Sequence, residues 1–160
     1  MRKGRTTWTD LGIGLRMLAW AAVLVLLLRV LKMKLPRAVR LMRPRRAFFG
    51  HRNADRELRI SSLAHVAADL VGRADSNCLI RSLLAWRYLG LAGASPHIVA
   101  GMERSEKGVR GHAWVLVDYR PLGEASATLA SFLPVVAFDE RGLPYQVPSS
   151  RGASEKDCDG

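Results

Sequence analysis

The chain has 160 residues, with 25 Lys and Arg, 14 Asp and Glu, and a formal net charge of +11. That length fits one domain and excludes a large barrel enzyme. A hydrophobic content of 49% excludes a chain that is disordered throughout. The two cysteines, Cys78 and Cys158, lie far apart in the chain and cannot form a disulfide framework. We therefore expect free thiols in the reducing environment of the cytoplasm.

The positive charge is confined to the first third of the chain. Residues 1–50 hold 12 Lys and Arg and one acid, whereas residues 51–160 hold 13 of each sign. Because the body is neutral, the net charge does not indicate nucleic-acid binding, and we expect no nucleic-acid partner. Composition predicts three segments: a basic, apolar N-terminal helical segment over 1–50, a folded body over 51–140, and a flexible tail over 141–160.

The N-terminal segment contains an apolar stretch from Leu11 to Leu28, interrupted by Arg16. Its uninterrupted part, residues 17–28, is shorter than the roughly 20 residues that span a membrane. Three arrangements stay open: a spanning helix, a helix docked on a membrane surface or on a partner, and a helix packed on the protein's own core. If the helix spans, the basic residues after it keep the body cytoplasmic. No small-residue cleavage site follows the stretch, so we expect no secretion.

Two helices are predicted at the start of the body. Apolar residues recur at helical spacing over 57–72 and again after Asn77. Asp75, Ser76 and Asn77 are residue types that cap helices, so Cys78 is expected in the first turn of the second helix. A helix N-terminus carries a partial positive charge, which favours the thiolate form of a cysteine placed there.

Strands are predicted over residues 96–101, 111–119 and 133–138, with a charged turn over 103–111. Along the second strand, His112 and Asp118 belong to one face. A cysteine at a helix start and a histidine on a later strand are the residue types that acyl-transfer chemistry needs. A thiolate attacks a carbonyl at neutral pH, and an imidazole stabilises that thiolate and then protonates the leaving amine. A third polar group fixes the imidazole tautomer.

Three stretches together resemble the transglutaminase-like, papain-type cysteine proteases that remove leader peptides in lasso-peptide biosynthesis. They are residues 77–86, with Cys-Leu-Ile-Arg-Ser-Leu, residues 98–102, and residues 111–118, with His-Ala-Trp-Val. The resemblance covers residues 55–140, and the basic, apolar N-terminal segment is also typical of the family. It implies an α+β fold in which a nucleophile helix packs on a small antiparallel sheet, preceded by a basic, apolar N-terminal helix.

The resemblance also implies the site. Cys78 is then the nucleophile and His112 the base, and no cofactor is implied. In that family an Asp follows the His at the offset where this chain has Glu124. We favour Glu124 as the residue that orients His112, with Asp118 and Asp139 as alternatives. The four histidines lack the spacing of metal ligands, so no metal site is predicted.

By the same resemblance, the body over 51–140 is a cysteine peptidase domain that cleaves the leader from a lasso-peptide precursor. A separate leader-recognition protein and an ATP-dependent lasso cyclase are the implied partners. The enzyme is expected in the cytoplasm, associated with or anchored in the inner membrane. Two other functions stay open. One is a non-catalytic, membrane-associated scaffold of a peptide-maturation complex, suggested by the basic N-terminal segment. The other is a transglutaminase-type acyltransferase that passes the acyl group to an amine.

Overall fold

The computed structural model describes residues 8–44, 52–71, 77–106 and 108–146. The helices are α1 (Trp8–Val25), continued by a π-helical turn (Leu26–Val30), α2 (Leu35–Met42), α3 (Ala54–Val71), α4 (Cys78–Leu91) and α5 (Ser126–Leu129). The strands are β1 (Pro96–Ser105), β2 (Gly108–Val117), β3 (Arg120–Pro121), β4 (Leu133–Phe138) and β5 (Pro144–Tyr145). The fold is α+β, as the sequence predicts.

The strands form one antiparallel sheet in the order β3-β2-β1-β4-β5. β1 is central and pairs with β2 along its whole length, from Pro96 opposite Val117 to Ser105 opposite Gly108. On its other side β1 pairs with β4, and the register shifts between Ala100 and Gly101. The β1–β2 hairpin is therefore the backbone of the sheet.

Helices α1 to α4 cover one face of the sheet. α4 packs on β1 and β2, and both α1 and α3 pack on α4. Trp86 of α4 is fully buried in this core, together with Val115 and Val117 of β2. The opposite face carries a smaller apolar cluster made of Val99, Trp114, Leu116, Leu129, Phe132 and Ala137. Since side chains alternate along β2, neighbouring residues of that strand belong to different cores.

The N-terminal helix has two different faces. Met17, Ala21 and Leu24 have no exposed surface and belong to the helical core, whereas Leu15 is 69% exposed and Leu26 51% exposed. The 20 residues from Leu11 to Val30 have a mean hydropathy of 2.3 and are long and apolar enough to cross a membrane by length and composition. One face of α1 thus completes the core, and the other presents apolar side chains outward.

The charged segment predicted as a turn over 103–111 is largely strand. β1 runs to Ser105 and β2 begins at Gly108. Glu103 and Arg110 lie directly opposite each other in the register, and Arg110 Nη2 donates to Glu103 Oε2 at 2.6 Å. Opposite charges placed across an antiparallel pair stabilise it. The hydrophilic composition that predicts a turn therefore reflects cross-strand ion pairing.

The end of β2 and the predicted tail also differ from the sequence prediction. β2 ends at Val117, because Asp118 and Tyr119 have φ of 51° and 61° and form a left-handed turn into β3. In the segment predicted as a flexible tail, residues 144–145 pair with β4 as strand β5. A turn leads into β5, held by Asp139 Oδ1, which accepts from the backbone N–H of Arg141 and Leu143. Residues 147–160, which include Cys158, lie outside the described residues.

Candidate active site

Cys78 is the first residue of α4 and is partly exposed. The residue before it, Asn77, is 3% exposed, and its side-chain Nδ2 donates to the carbonyl of Ala68 in α3 at 3.1 Å. Asn77 therefore ties the start of α4 to α3, whereas the sequence predicts that its side chain caps α4. The other two predicted caps, Asp75 and Ser76, lie outside the described residues. The placement of Cys78 in the first helical turn is confirmed.

His112 lies on β2 opposite Gly101, on the face of the sheet that carries the smaller apolar cluster. Its ring stacks on Trp114 with centroids 6.1 Å apart and lies 5.1 Å from the ring of Phe132. The absence of a side chain at Gly101 leaves room for the Trp114 ring, because a Cβ at residue 101 would lie 2.8 Å from Cη2 of Trp114. The imidazole is therefore held between large aromatic side chains, with its side chain only 20% exposed.

Glu124 connects His112 to α4. His112 Nε2 donates to Glu124 Oε2 at 2.6 Å, and the other carboxylate oxygen accepts a hydrogen bond from Arg81 Nη2. The Glu124 side chain is 15% exposed, so these charge-assisted bonds are partly shielded from water. Donation through Nε2 selects one tautomer and leaves Nδ1 as the basic ring nitrogen.

The two alternative acids are engaged elsewhere. Arg52 donates to Asp118 with Nη1 at 2.8 Å and Nη2 at 2.6 Å, and with Nε to Glu57 at 2.6 Å. The hydrogen bond from Arg52 lowers the pKa of Asp118 below its ordinary value. Asp139 holds the turn before β5. Of the three candidates, the structure brings Glu124 to His112, and its catalytic role stays a prediction.

The start of α4 passes the outer edge of β2, next to His112. Ser82 Oγ donates to the carbonyl of Ala113 at 2.8 Å. That carbonyl points away from β1, because the carbonyl of Val115 bonds to Leu122 N on the outer side and backbone groups alternate along a strand. Cys78 lies one helical turn before Ser82 and therefore on the same side of α4. The nucleophile candidate thus lies beyond the edge of β2, within the corner that holds His112.

The contacts of this corner link α4 to β2 through Arg81, Glu124 and Ser82, and none of them joins Cys78 to His112 directly. Within the described residues, Cys78 and His112 share no hydrogen bond. Hydrogen bonds between catalytic groups are often long in the absence of substrate and shorten in the Michaelis complex. The roles of Cys78 as nucleophile and His112 as base therefore stay predictions, supported by the shared link through Arg81 and Glu124.

Sequence reasoning missed two contacts of the site. Arg81 bonds to Glu124, which lies 43 residues away in the chain, so that no local pattern names this partner. Phe132 borders His112 from the segment before β4, and nothing in the local sequence signals that contact. Both depend on how the chain after β3 folds back over the edge of β2. Among the described residues, no group of three or more His, Cys, Asp or Glu could hold a metal ion.

The comparisons with known proteins give one family. The family model for the transglutaminase-like superfamily matches residues 13–137, which is most of the chain. The matched region begins within α1 and includes α4, β1 and β2. Most of the N-terminal helix, which composition sets apart from the body, therefore lies inside the matched region. No curated protein and no solved structure matches the chain significantly.

Proposed function

The chain belongs to the transglutaminase-like superfamily, and from that membership we propose that it is a cysteine peptidase acting through Cys78, His112 and Glu124. The superfamily is consistent with either cysteine-peptidase or acyltransferase activity. The choice of residues depends on two hydrogen bonds, one from Arg81 near the start of α4 to Glu124 and one from His112 to Glu124. These contacts orient the imidazole and link it to the helix that begins with Cys78, which supports the proposal.

The reaction follows from these positions. The Cys78 thiol transfers its proton to Nδ1 of His112, and the sulfur attacks the scissile carbonyl carbon. N–H groups of the first turn of α4 stabilise the negative oxygen that develops. The C–N bond then breaks, the proton on His112 passes to the leaving amine, and a thioester remains on Cys78. Water, deprotonated by His112, attacks the thioester, and the proton returns to the sulfur as the acid product leaves.

The substrate that we propose is a ribosomally made lasso-peptide precursor, cleaved between leader and core. The proposal depends on the resemblance of the stretches around Cys78 and His112 to the leader peptidases of that pathway. A separate leader-recognition protein presents the leader, and an ATP-dependent lasso cyclase takes the freed core peptide. Both are partners that the proposal implies.

The proposal predicts a short precursor peptide and a small recognition protein in the neighbouring reading frames, and the test is cleavage of that precursor in the presence of that protein. We expect the wild-type chain to release the leader and Cys78→Ala to release none, since the nucleophile is lost. Cys158→Ala is the matched control and keeps the wild-type rate. Cleavage by Cys78→Ala at the wild-type rate would refute the assignment.

The acyltransferase alternative shares the thioester on Cys78 and differs in what attacks it. Mass spectrometry of the products separates the two, because hydrolysis adds water to the acyl fragment and transfer adds an amine. A chain that cross-links a primary amine in place of releasing the acid is an acyltransferase. The scaffold alternative predicts a precursor that stays intact and a Cys78 that reacts with iodoacetamide like any exposed thiol.

We further propose that α1 lies along the surface of an anionic membrane. The buried face of α1 is needed by the core, so a spanning helix would strip Met17, Ala21 and Leu24 from it. A surface orientation keeps that packing and buries the outward apolar side chains, while exposed basic residues after α1, such as Lys32, Lys34 and Arg37, meet anionic headgroups.

Vesicle binding tests this arrangement. We expect Leu15→Glu with Leu26→Glu to abolish sedimentation with phosphatidylglycerol vesicles, because two charges then replace exposed apolar side chains. Leu133→Glu, at a residue 64% exposed on the sheet, is the matched control and keeps binding. Equal vesicle binding by all three proteins, or binding that persists with vesicles of neutral lipid alone, would refute the proposed surface orientation of α1.

A further inference from the structure

The outer edge of β2 is open beside the candidate active site. On its inner side β2 pairs with β1 from Gly108 to Val117. On its outer side β3 pairs only with residues 116 and 117, and Ser82 covers the carbonyl of Ala113. Within the described residues, no strand pairs with the outer edge over residues 109–112. The open stretch therefore leads directly into the corner of Cys78 and His112.

The backbone groups that face this open edge can be identified from the alternation along the strand. The carbonyls of Val115 and Ala113 point outward, to Leu122 N and Ser82 Oγ. In an antiparallel strand every second residue directs both its N–H and its C=O to the same side. The N–H and C=O groups of Gly111 and Val109 therefore also point outward, each offering a donor and an acceptor.

The edge has room for another backbone. Val109 is 66% exposed, and Gly111 is exposed as well. A Cβ built on Gly111 would have no neighbour nearer than Gly101 O at 4.0 Å. A glycine within a strand often marks a point where a ligand or another backbone approaches closely. Val109 and Gly111 are thus both exposed on this edge, and the sheet face beside Gly111 is open.

The other side of the sheet is arranged differently. There β4 carries Pro134, which has no N–H, a register shift against β1, and β5 as a cover over its last residues. Proline, bulges and short covering strands are the usual protections of a sheet edge. In the part of the chain that the structure describes, the β2 edge next to His112 has no proline, bulge or covering strand over residues 109–112, and its charged side chain Arg110 is paired with Glu103. The contrast indicates an edge kept free for a partner strand.

We propose that an extended peptide substrate docks as an added strand on the outer edge of β2, with its main chain bonded to Val109 and Gly111. The docked strand delivers its scissile carbonyl to Cys78. Because the bonds involve only main-chain groups, this part of recognition accepts many sequences. The inference depends on the proposed peptidase function and adds the conformation in which the substrate is bound.

Reactive peptides of defined sequence provide the test. The rate of Cys78 alkylation is measured with three reagents: iodoacetamide, acetyl-Thr-Ala-Thr-Ala chloromethyl ketone and iodoacetyl-Thr-Ala-Thr-Ala amide. In the two peptide reagents the peptide extends to opposite sides of the reactive carbon. We expect at least one peptide reagent to react faster than iodoacetamide with the wild type. Val109→Pro, which removes an outward N–H and leaves the β1 ladder intact, should slow that reagent about fivefold, the usual effect of one lost hydrogen bond.

Two controls make the result specific. Val135→Pro places the same substitution on β4, at the residue that the register shift leaves without a β1 partner, and should keep the wild-type rate. A peptide reagent with N-methylated alternate residues should lose its advantage on the wild type itself, even if Val109→Pro does not fold. Equal rates for methylated and unmethylated reagents would overturn the docking.

The two proposals fail differently. If iodoacetamide labels Cys78 no faster in the wild type than in His112→Ala, the peptidase function fails. In that case docking is measured by amide hydrogen exchange of residues 108–112 in the Cys78→Ala variant. Exchange is compared with and without the unreactive peptide acetyl-(Thr-Ala)4 amide. Slower exchange supports the added strand, and unchanged exchange overturns it.

Discussion

Two corners of the same sheet contain the same three residue types and differ in geometry. At one end, His112 bonds to Glu124 at 2.6 Å, and Glu124 in turn bonds to Arg81. At the other end, His97 Nε2 lies 3.9 Å from Glu140, whose other oxygen lies 3.8 Å from Arg141. Both histidines lie on one face, four register positions apart along β1, which is about 13 Å. Residue type alone therefore does not distinguish a candidate catalytic site from another cluster of the same residues.

The surroundings separate the two corners. His97 is 8% exposed and packs against the rings of Tyr119 and Tyr145 at 5.1 and 4.8 Å. His112 is partly exposed and is linked through Glu124 to Arg81 of α4, the helix that begins with Cys78. A histidine packed between tyrosines serves the fold, whereas one that is oriented by a carboxylate near a thiol can transfer protons. Matched substitutions at the two corners test this difference.

The histidine pair should give the largest contrast. We expect His112→Ala to lower the rate of precursor cleavage by about three orders of magnitude or more, because the base that activates the thiol is lost. His97→Ala should leave the rate within about twofold, since His97 touches no reacting group. Initial rates at saturating precursor measure both. Equal losses in the two variants would mean that His112 acts only through the fold.

The glutamate pair should give the next contrast. Glu124→Gln keeps the size of the side chain and removes the charge that orients and stabilises the imidazolium, so we expect a fall in kcat of about a hundredfold. Glu140→Gln, the counterpart beside His97, should change kcat by less than twofold. Melting temperatures of both variants check that the fold is kept. An unchanged kcat in Glu124→Gln would leave Asp118 or Asp139 to be tested as the orienting acid.

The arginine pair should give a smaller effect. Arg81 is 22% exposed and positions Glu124, so Arg81→Met should lower kcat about tenfold without a matching change in KM. Arg81→Lys should restore part of that loss, because an ammonium can still bond to one carboxylate oxygen. Arg141, which is 70% exposed, is the matched control, and Arg141→Met should have the wild-type kcat. A rise in KM with an unchanged kcat would indicate that Arg81 contacts substrate.

Replacing His97 by an aromatic ring should have the smallest effect. His97 Nδ1 is buried and has no hydrogen-bond partner among the described residues. His97→Phe keeps the ring contacts with Tyr119 and Tyr145 and removes that unpaired polar atom, so the free energy of unfolding should change by no more than about 1 kcal/mol. Urea unfolding measures it. A much larger destabilisation would show that the His97–Glu140 contact contributes to the fold.

The sequence predicts those parts of the molecule that local patterns determine. Helical periodicity and the residues before Cys78 place that cysteine in the first turn of α4, and alternation places β4 over residues 133–138, as in the structure. The α+β class and the superfamily follow from the stretches around Cys78 and His112. These features depend on neighbours in sequence.

Features that depend on distant residues were predicted less well. The hairpin extends to Ser105 and Gly108 because Glu103 and Arg110 pair across it, which the local composition conceals. β5 forms only because β4 offers it an edge. Glu124 was selected by its offset from His112, yet its bond to Arg81 depends on the fold of the chain after β3.

Alkylation of Cys78 is the most direct test of the peptidase account. The rate of iodoacetamide labelling at pH 6 is measured by mass spectrometry in the wild type and in His112→Ala. If His112 stabilises the thiolate as an ion pair, the wild type should react at least about tenfold faster. The same slow rate in both proteins would contradict the account, because the sulfur and the imidazole would then act independently.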